Sequence, residues 1–479
     1  MGLWEAMGNF RSSRACGALT PDRSYRGRAS AEPGAHSTAT VPDLAQAPDR
    51  IPATGVDLAL HSWWERTSGI IGLECAFGGH LDEAVLARAA LLLLDVEPIL
   101  GFRFVADSPA PHWLRVPASE RTVLTVVTKR AEYEGMRRTG LDAAGGAQIA
   151  LCLWPREAGD RLLFKMTHLV GDGVSLQLLA SRLGSLYSAL ALDPGYRPSP
   201  GRVRTRDPRQ LLDSVPKLAR LRAILDFAWF MAPRLLPRPT HRLPLPDESV
   251  GPAVPVIRRL PAPSLSSLSR YGKERGATVN DVFLAAAYRA LAACGWDGTS
   301  ALRIPIAVDL RRWCLPPEQA ATIANVSSWE YPYLMRDLGR SFDETIARVA
   351  ALTRRRKKGR PGLAIGLIAL RLVKNLPERA DRPSAGSKTV SRRSDGSRVL
   401  LTFSNEGLLA KPRLRFGEEV PISAHILPPF VCLPALHVCL SGYDGALTLA
   451  AVTSENGEAH VGRFLDALLD ELPAGSVRR

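Results

Sequence analysis

A histidine, an aspartate and a glycine lie close together in residues 167–173, where His168, Asp172 and Gly173 have the spacing H-x-x-x-D-G. Residues 161–166 have the apolar, alternating pattern of a strand, and residues 174–183 repeat apolar side chains at helical spacing. The sequence therefore predicts that His168 lies where a strand ends, with its side chain in a cleft. An imidazole with an ordinary pKa of about 6.5 can take a proton from a hydroxyl or an amine at neutral pH. The motif indicates a general base, and the competing interpretation is a histidine in an ordinary loop.

The composition indicates a globular protein of enzyme size. The chain has 479 residues, of which 46% are hydrophobic, 23% charged and 6% aromatic, so it can bury large cores and is expected to form two domains. Its net charge of +15 and pI of about 9.9 favour anionic partners, which include nucleic acid, a membrane surface and a phosphorylated cofactor. Basic residues concentrate in the N-terminal region, a linker and loops rather than alternating with aromatics on one face, which argues against nucleic-acid binding.

The cysteines predict neither a disulfide framework nor a metal site. They are odd in number, scattered and without a C-x-x-C pair, at positions 16, 75, 152, 294, 314, 432 and 439. A reducing compartment is the simplest interpretation. Cys432, Cys439 and His437 could be considered as metal ligands, but residues 430–440 have the pattern of an apolar strand and loop. We therefore expect no bound metal.

Changes in composition predict the domain boundaries. Residues 1–50 are rich in arginine, serine and glycine and are expected to be a disordered tail without the apolar segment of a secretory signal. Residues 51–200 form the predicted N-terminal lobe, 201–255 a linker rich in proline and arginine, and 256–479 the C-terminal lobe. Both lobes mix helical and strand patterns, so the predicted class is α/β or α+β with two lobes of similar size.

The expected location is the cytoplasm, with peripheral membrane contact as an alternative. No segment reaches the roughly 20 apolar residues that a membrane-spanning helix needs. Residues 216–231 and 354–370 combine basic and apolar side chains, as helices that bind anionic lipid do. The alternative for both segments is an ordinary helix packed on its own domain.

Several segments together resemble a known superfamily. Besides the motif around His168, these are residues 81–86, 97–104, 276–291, 304–312 and 324–327. In this order they are similar to the landmarks of the chloramphenicol acetyltransferase-like superfamily, which includes condensation domains, wax ester synthase/diacylglycerol acyltransferases and mycobacterial polyketide-associated acyltransferases. The resemblance covers about residues 55–455. It implies two chloramphenicol acetyltransferase-like lobes, each a two-layer sandwich of a sheet covered by helices, arranged in a V with His168 at the floor of a tunnel between them.

The resemblance also implies a reaction of the thioester-dependent acyltransferase type. His168 would deprotonate an acceptor hydroxyl or amine, which attacks the thioester carbonyl of an acyl-CoA or acyl-carrier protein without a covalent acyl-enzyme. No tightly bound cofactor is expected, since the CoA or phosphopantetheine thioester is a co-substrate. Asp172 would have a structural role, paired with either Arg311 or Arg312. Gly173 would provide a tight turn, and Thr167 would belong to the same supporting structure.

Four polar residues are candidates for contacting the substrate or the oxyanion that develops during acyl transfer. Asn325 and Ser327 lie within residues 324–327, the last of the similar segments, while Ser404 and Asn405 lie in a segment similar to the S-N-x-G of the wax ester synthase branch. A donor aimed at the oxyanion typically contributes about 3 kcal/mol. The alternative is that each is a turn or structural hydrogen-bonding residue. Asn280 and Asp281 are expected to cap or brace a helix.

The chain departs from the superfamily pattern at one position of the motif. Thr167 stands where many relatives have a first histidine, and the D-F-G-W-G segment of other members is absent. Thr167 weakens the case for a peptide-forming condensation domain, and the leading hypothesis is a stand-alone acyltransferase that makes an ester, or less readily an amide, with a lipid-like acceptor as one candidate. The alternative is a catalytically degenerate module that binds a carrier protein or an acyl ligand.

Overall fold

The computed structural model describes most of the chain downstream of residue 47. The described residues are 48–64, 69–201, 215–231, 243, 245–246, 248–295, 301–315, 320–331, 333–335, 337–357, 359–374, 401–433 and 435–473. All but the last three residues of the predicted tail, and much of the predicted linker, lie outside these ranges.

The elements before residue 200 are a mixture of strands and helices. They are β1 (Arg50–Pro52), α1 (Gly55–Trp64), β2 (Ile70–Ala76), α2 (Glu83–Val96), β3 (Phe102–Val105), β4 (His112–Arg115), β5 (Leu124–Val126), α3 (Arg130–Arg138), β6 (Ile149–Trp154), β7 (Arg161–Thr167) and α4 (Gly173–Leu192). α2 begins at Glu83 because Asp82 is its N-cap and accepts a hydrogen bond from the Val85 amide at 2.9 Å.

The elements after residue 215 follow the same mixed pattern. They are α5 (Lys217–Met231), β8 (Ala253–Leu260), α6 (Ser264–Glu274), α7 (Val279–Ala293), β9 (Ala301–Arg303), β10 (Ile306–Asp309), α8 (Arg311–Cys314), β11 (Ser327–Glu330), β12 (Tyr333–Met335), α9 (Phe342–Lys357), α10 (Leu363–Lys374), β13 (Leu401–Leu408), β14 (Ser423–Leu427), β15 (Leu436–Tyr443), β16 (Ala446–Ser454) and α11 (Glu458–Asp470). Thr278 is the N-cap of α7 and forms a capping box with Asp281, which also accepts a hydrogen bond from Thr353, as a bracing residue would.

Two larger sheets organise the described chain. The first has the strand order β14-β2-β7-β6-β5, antiparallel except for the last pair. The second has the order β11-β10-β13-β15-β16-β8, in which β10, β13 and β15 run parallel. Smaller sheets join β1, β4 and β3, and β12 with β9.

Each larger sheet packs one face on helices. Ile71, Leu73 and Cys75 of β2 belong to a core that also contains residues of α2 and α4. Leu436 and Val438 of β15 belong to a second core with α7 and α11. The opposite sheet faces approach one another where Leu163 and Leu427 meet Ala450. The predicted mixed α/β class, with sheets covered by helices, is thereby confirmed; the V shape and the tunnel remain predictions.

One strand crosses between the predicted lobes. β14 lies within the range 256–479 predicted for the C-terminal lobe, yet Ser423 to Leu427 pair with Ala76 to Gly72 of β2 in the first sheet. The boundaries predicted from composition remain a prediction. The pairing of β14 with β2 is a contact between the two predicted lobes that composition does not indicate. No helix in the described ranges is long and apolar enough to cross a membrane.

Candidate active site

His168 immediately follows β7, as the motif predicts. The strand ends at Thr167, which is paired with Ile70 of β2, and the His168 amide donates to the Gly69 carbonyl at 2.6 Å. The His168 side chain is fully buried. The end of a paired strand thus fixes its backbone, and the surrounding protein keeps its imidazole away from bulk water.

Asn325 fixes the orientation of the His168 ring. The Asn325 Nδ2 donates to the His168 carbonyl at 2.8 Å, and Asn325 Oδ1 lies 3.1 Å from His168 Nδ1. Because a carbonyl oxygen can only accept, Nδ1 carries the ring proton in this arrangement. The lone pair of the neutral imidazole is consequently on Nε2. Asn325, predicted as a substrate or oxyanion contact, is placed here as a partner of the histidine itself.

Asp172 connects the motif to the second half of the chain. It is the N-cap of α4 and its Oδ1 accepts from the Ser175 amide at 3.0 Å, while its Oδ2 accepts from the Val326 amide at 2.9 Å. Arg311 binds it with both terminal nitrogens, at 2.8 and 2.9 Å. Burial alone would raise the pKa of Asp172, but Arg311 and these donors lower it to about 2. The carboxylate is therefore ionised throughout the physiological range.

Arg311, rather than Arg312, is the arginine that pairs with Asp172. Its side chain is buried, and it also donates to Asp309 at 3.1 Å and to the Ala324 carbonyl at 2.7 Å. The Arg312 guanidinium instead stacks over the Trp313 ring at 4.5 Å. Since Ala324 and Asn325 are adjacent, the Asp172–Arg311 pair also holds the segment that orients His168.

The contacts of Gly173 and Thr167 are those of residues with a structural role. A side chain at Gly173 would overlap the carboxylate of Glu406, a buried residue of β13. The Thr167 hydroxyl donates to Gln148 Oε1 at 2.6 Å, and Gln148 Nε2 donates in turn to the Phe102 carbonyl at 2.8 Å. The glycine thus permits close approach of β13, and the threonine ties the end of β7 to its neighbours.

A second buried histidine faces this region from the second sheet. His437 of β15 lies opposite Thr402 of β13, with Thr402 Oγ1 2.7 Å from its Nδ1 and Ser404 Oγ 3.1 Å from its Nε2. Burial, and secondarily the charge of a protonated His168, lower the pKa of His437 to about 3. His437 is therefore a neutral hydrogen-bonding group. The sequence analysis considered His437 only as a metal ligand. Thr402 and Ser404, two positions apart on β13, could have indicated a polar strand face that contacts it.

The remaining predicted contacts lie on two strands. Ser327 begins β11, and its buried hydroxyl oxygen has no hydrogen-bond partner among the described residues. Ser404 is engaged by His437, and Asn405 Oδ1 accepts from the Gly407 amide at 3.0 Å, as a turn residue does. Gln177 of α4 donates to the Glu406 carbonyl at 2.9 Å, which places this part of β13 beside the motif. No cluster of three or more potential metal ligands occurs within the described ranges.

Solved structures with the same architecture identify the fold. The trichothecene 15-O-acetyltransferase TRI3 from Fusarium sporotrichioides superposes with a TM-score of 0.66 at 14% identity, covering 88% of this chain and 94% of that one. The first condensation domain of the calcium-dependent antibiotic synthetase gives 0.63 at 18% identity, with coverages of 89% and 97%. Polyketide synthase associated protein 5 from Mycobacterium tuberculosis gives 0.61 at 16% identity, with coverages of 89% and 98%.

The chain has the chloramphenicol acetyltransferase-like fold. The resemblance predicted from the motifs is confirmed at this level. No family model and no curated protein sequence matches the chain. At these identities the chloramphenicol acetyltransferase-like fold is what the similarity establishes, and the chemistry has to be argued from the side chains.

Proposed function

We propose that the protein is an acyltransferase that moves an acyl group from an acyl-CoA or acyl-carrier thioester to a hydroxyl, or less readily an amine, with His168 as general base. The observation that carries the proposal is the pair of contacts between His168 and Asn325. They leave the basic lone pair on Nε2 of a neutral imidazole held in one orientation.

The proposed reaction needs no covalent enzyme intermediate. Nε2 of His168 takes the proton of the acceptor hydroxyl as its oxygen attacks the thioester carbonyl, which forms a tetrahedral oxyanion. The intermediate collapses when the carbon–sulfur bond breaks, and the thiolate recovers the proton from His168. Exclusion of water around the buried His168 strengthens these charge interactions and limits competing hydrolysis.

Ser327 is the proposed donor to the oxyanion. Its hydroxyl is buried without a hydrogen-bond partner among the described residues, and it lies two residues after Asn325. A buried hydroxyl that makes no other hydrogen bond is suited to donate to the oxyanion, whose charge develops only during the reaction. Ser404 is the weaker candidate because its hydroxyl is already bonded to His437.

The proposal extends to a cytoplasmic enzyme whose lipid-like acceptor is reached at an anionic membrane surface. Ala223 and Ile224 of α5 pack against the protein, whereas Leu218, Leu221 and Leu225 are 78%, 54% and 58% exposed. Their spacing of three and four residues places them on one face of the helix. Exposed leucines beside Lys217 and Arg222 suit the boundary between headgroups and acyl chains.

The test of the reaction is thiol release from acyl-CoAs of different chain lengths and from acylated carrier protein. Long-chain alcohols, diacylglycerol and amines serve as acceptors, and His168→Ala is compared with the wild type. Acceptor-dependent release that His168→Ala abolishes supports the acyltransferase. Binding of the donors with no release for any acceptor would favour the degenerate binding module instead.

The membrane contact is tested separately by co-sedimentation with phosphatidylglycerol vesicles. The double variant Leu221→Glu/Leu225→Glu should lose binding. Leu192→Glu, at a residue 89% exposed on another helix, should retain it. If both variants bound the vesicles equally well, α5 would not be the membrane contact.

A further inference from the structure

A group of charged residues surrounds Glu74 on the face of the first sheet opposite α2 and α4. Glu74 of β2 is buried, and its two oxygens bind Arg161 of β7 at 3.0 Å and Arg137 of α3 at 2.9 Å. Arg137 also binds Glu134 at 2.7 Å. These two arginines are therefore matched by two carboxylates.

A third guanidinium joins the group from the second sheet. Arg259 of β8 donates from Nη2 to Nδ1 of His425, on β14, at 3.2 Å. A guanidinium can only donate, so Nδ1 accepts and the ring proton of neutral His425 is on Nε2. Burial lowers the pKa of His425 to about 4, with Glu74 opposing and Arg259 contributing, so the ring stays neutral at physiological pH. Within the described chain, this buried Nε2–H has no hydrogen-bond partner.

The group as a whole has one more positive charge than negative, because three guanidiniums face the two carboxylates Glu74 and Glu134. Arg259 forms no ion pair with any carboxylate in the part of the chain that the structure describes, and the only side chain it contacts by a hydrogen bond there is the neutral His425. Burial, and repulsion from Arg161 and Arg137 against the attraction of Glu74, lower the pKa of Arg259. Arg259 is nevertheless exposed, and the Arg161 side chain is 28% exposed. Each guanidinium is therefore accessible to solvent, and the charge of a bound anion would relieve the repulsion between them.

We propose that Arg259 and Arg161 bind a phosphate group, with His425 holding the Arg259 guanidinium in place. Guanidinium groups match the oxygens of phosphate in two parallel hydrogen bonds, and a neutral imidazole that accepts one N–H restricts the Arg259 fork without adding charge. The phosphate is that of the thioester donor, so the inference deepens the proposed function and rests on it. CoA and carrier-bound phosphopantetheine share this chemistry.

The experiment measures binding rather than turnover, using calorimetric titration of CoA, phosphopantetheine and pantetheine, the last of which has no phosphate. Arg259→Gln is compared with Arg258→Gln, because the neighbouring Arg258 pairs with Asp466 at 2.6 Å and provides a matched loss of one positive charge. Arg259→Gln should weaken the phosphate-bearing ligands about tenfold, in proportion to one charge-assisted contact, and leave pantetheine unchanged. Arg259→Lys should recover part of the loss.

The outcomes separate the source of the phosphate and the two proposals. If Arg259→Gln weakens the binding of both phosphopantetheine and CoA, the bound group is the phosphate nearest the pantetheine. If it weakens the binding of CoA alone, the bound group is one of the nucleotide phosphates. Equal affinities for Arg259→Gln and Arg258→Gln with both ligands would overturn the site. Failure of the acyltransferase instead shows as absent thiol release, which leaves these binding constants unaffected.

Discussion

Asn325 and His168 hold each other through two hydrogen bonds, one from the amide nitrogen to the His168 backbone carbonyl at 2.8 Å and one between Oδ1 and Nδ1 at 3.1 Å. The residues are 157 positions apart in the sequence. The general base of the proposed reaction is thus oriented by a side chain from the other half of the chain.

Replacing Asn325 tests this orientation. Asn325→Leu should lower kcat by on the order of 10², because an imidazole free to rotate or change tautomer loses much of its value as a base. Asn325→Asp should retain part of the rate and move the acid limb of the pH–rate profile to higher pH, since a carboxylate stabilises the protonated imidazole. A rate profile of Asn325→Asp that coincides with the wild type would contradict the role.

Removing one partner of the Asp172–Arg311 pair should be strongly destabilising. Either Asp172→Leu or Arg311→Met leaves a buried charge unpaired and should cost about 3–5 kcal/mol of unfolding free energy. The double variant should lose less than the sum of the single losses, because neither charge then remains. Denaturant titration of all four proteins gives the coupling energy, and simple additivity would argue against the pair.

Gly173→Ala should destabilise the protein by about 1–3 kcal/mol through overlap with the Glu406 carboxylate. In the Glu406→Ala background, Gly173→Ala should cost less unfolding free energy than it does in the wild type, because the carboxylate that it would overlap is absent. Gly135→Ala is the matched control, because a side chain there meets nothing within 4 Å. Thermal unfolding of the four variants measures the effect, and a loss at Gly173 that Glu406→Ala does not reduce would exclude the overlap as its cause.

Acid sensitivity should depend on His437. Its pKa in the folded protein is about 3, against about 6.5 when unfolded, so the unfolded chain binds the proton more tightly. The contribution of neutral His437 to the free energy of unfolding is therefore fully present above pH 6.5 and is lost as the pH falls towards 3. Between pH 7 and pH 5 this loss amounts to about 2 kcal/mol. Denaturation of His437→Gln at both pH values should show a smaller difference than the wild type, whereas Ser404→Ala, which keeps the imidazole, should retain it.

The sequence predicted the local features of the site better than its long-range contacts. The strand before His168 and the helix after Asp172 follow from periodicities within twenty residues, so their positions could be predicted. The choice of Arg311 over Arg312 could not, because both lie next to a strand end and only the tertiary arrangement determines which one is buried. The role of His437 was missed for the same reason, since its partners come from a neighbouring parallel strand rather than from its own.

The pairing of β14 with β2 determines when the protein can become fully folded. During synthesis the first sheet has an open edge along residues 72–76 until residues 423–427 leave the ribosome, and an unpaired edge strand can pair with other chains. A fragment ending at residue 200 should therefore aggregate, and addition of a peptide spanning β14 should suppress that aggregation. The first sheet is consequently unable to evolve as an independent, exchangeable module, since the first half of the chain does not encode all of its strands, whereas all six strands of the second sheet lie within residues 253–454.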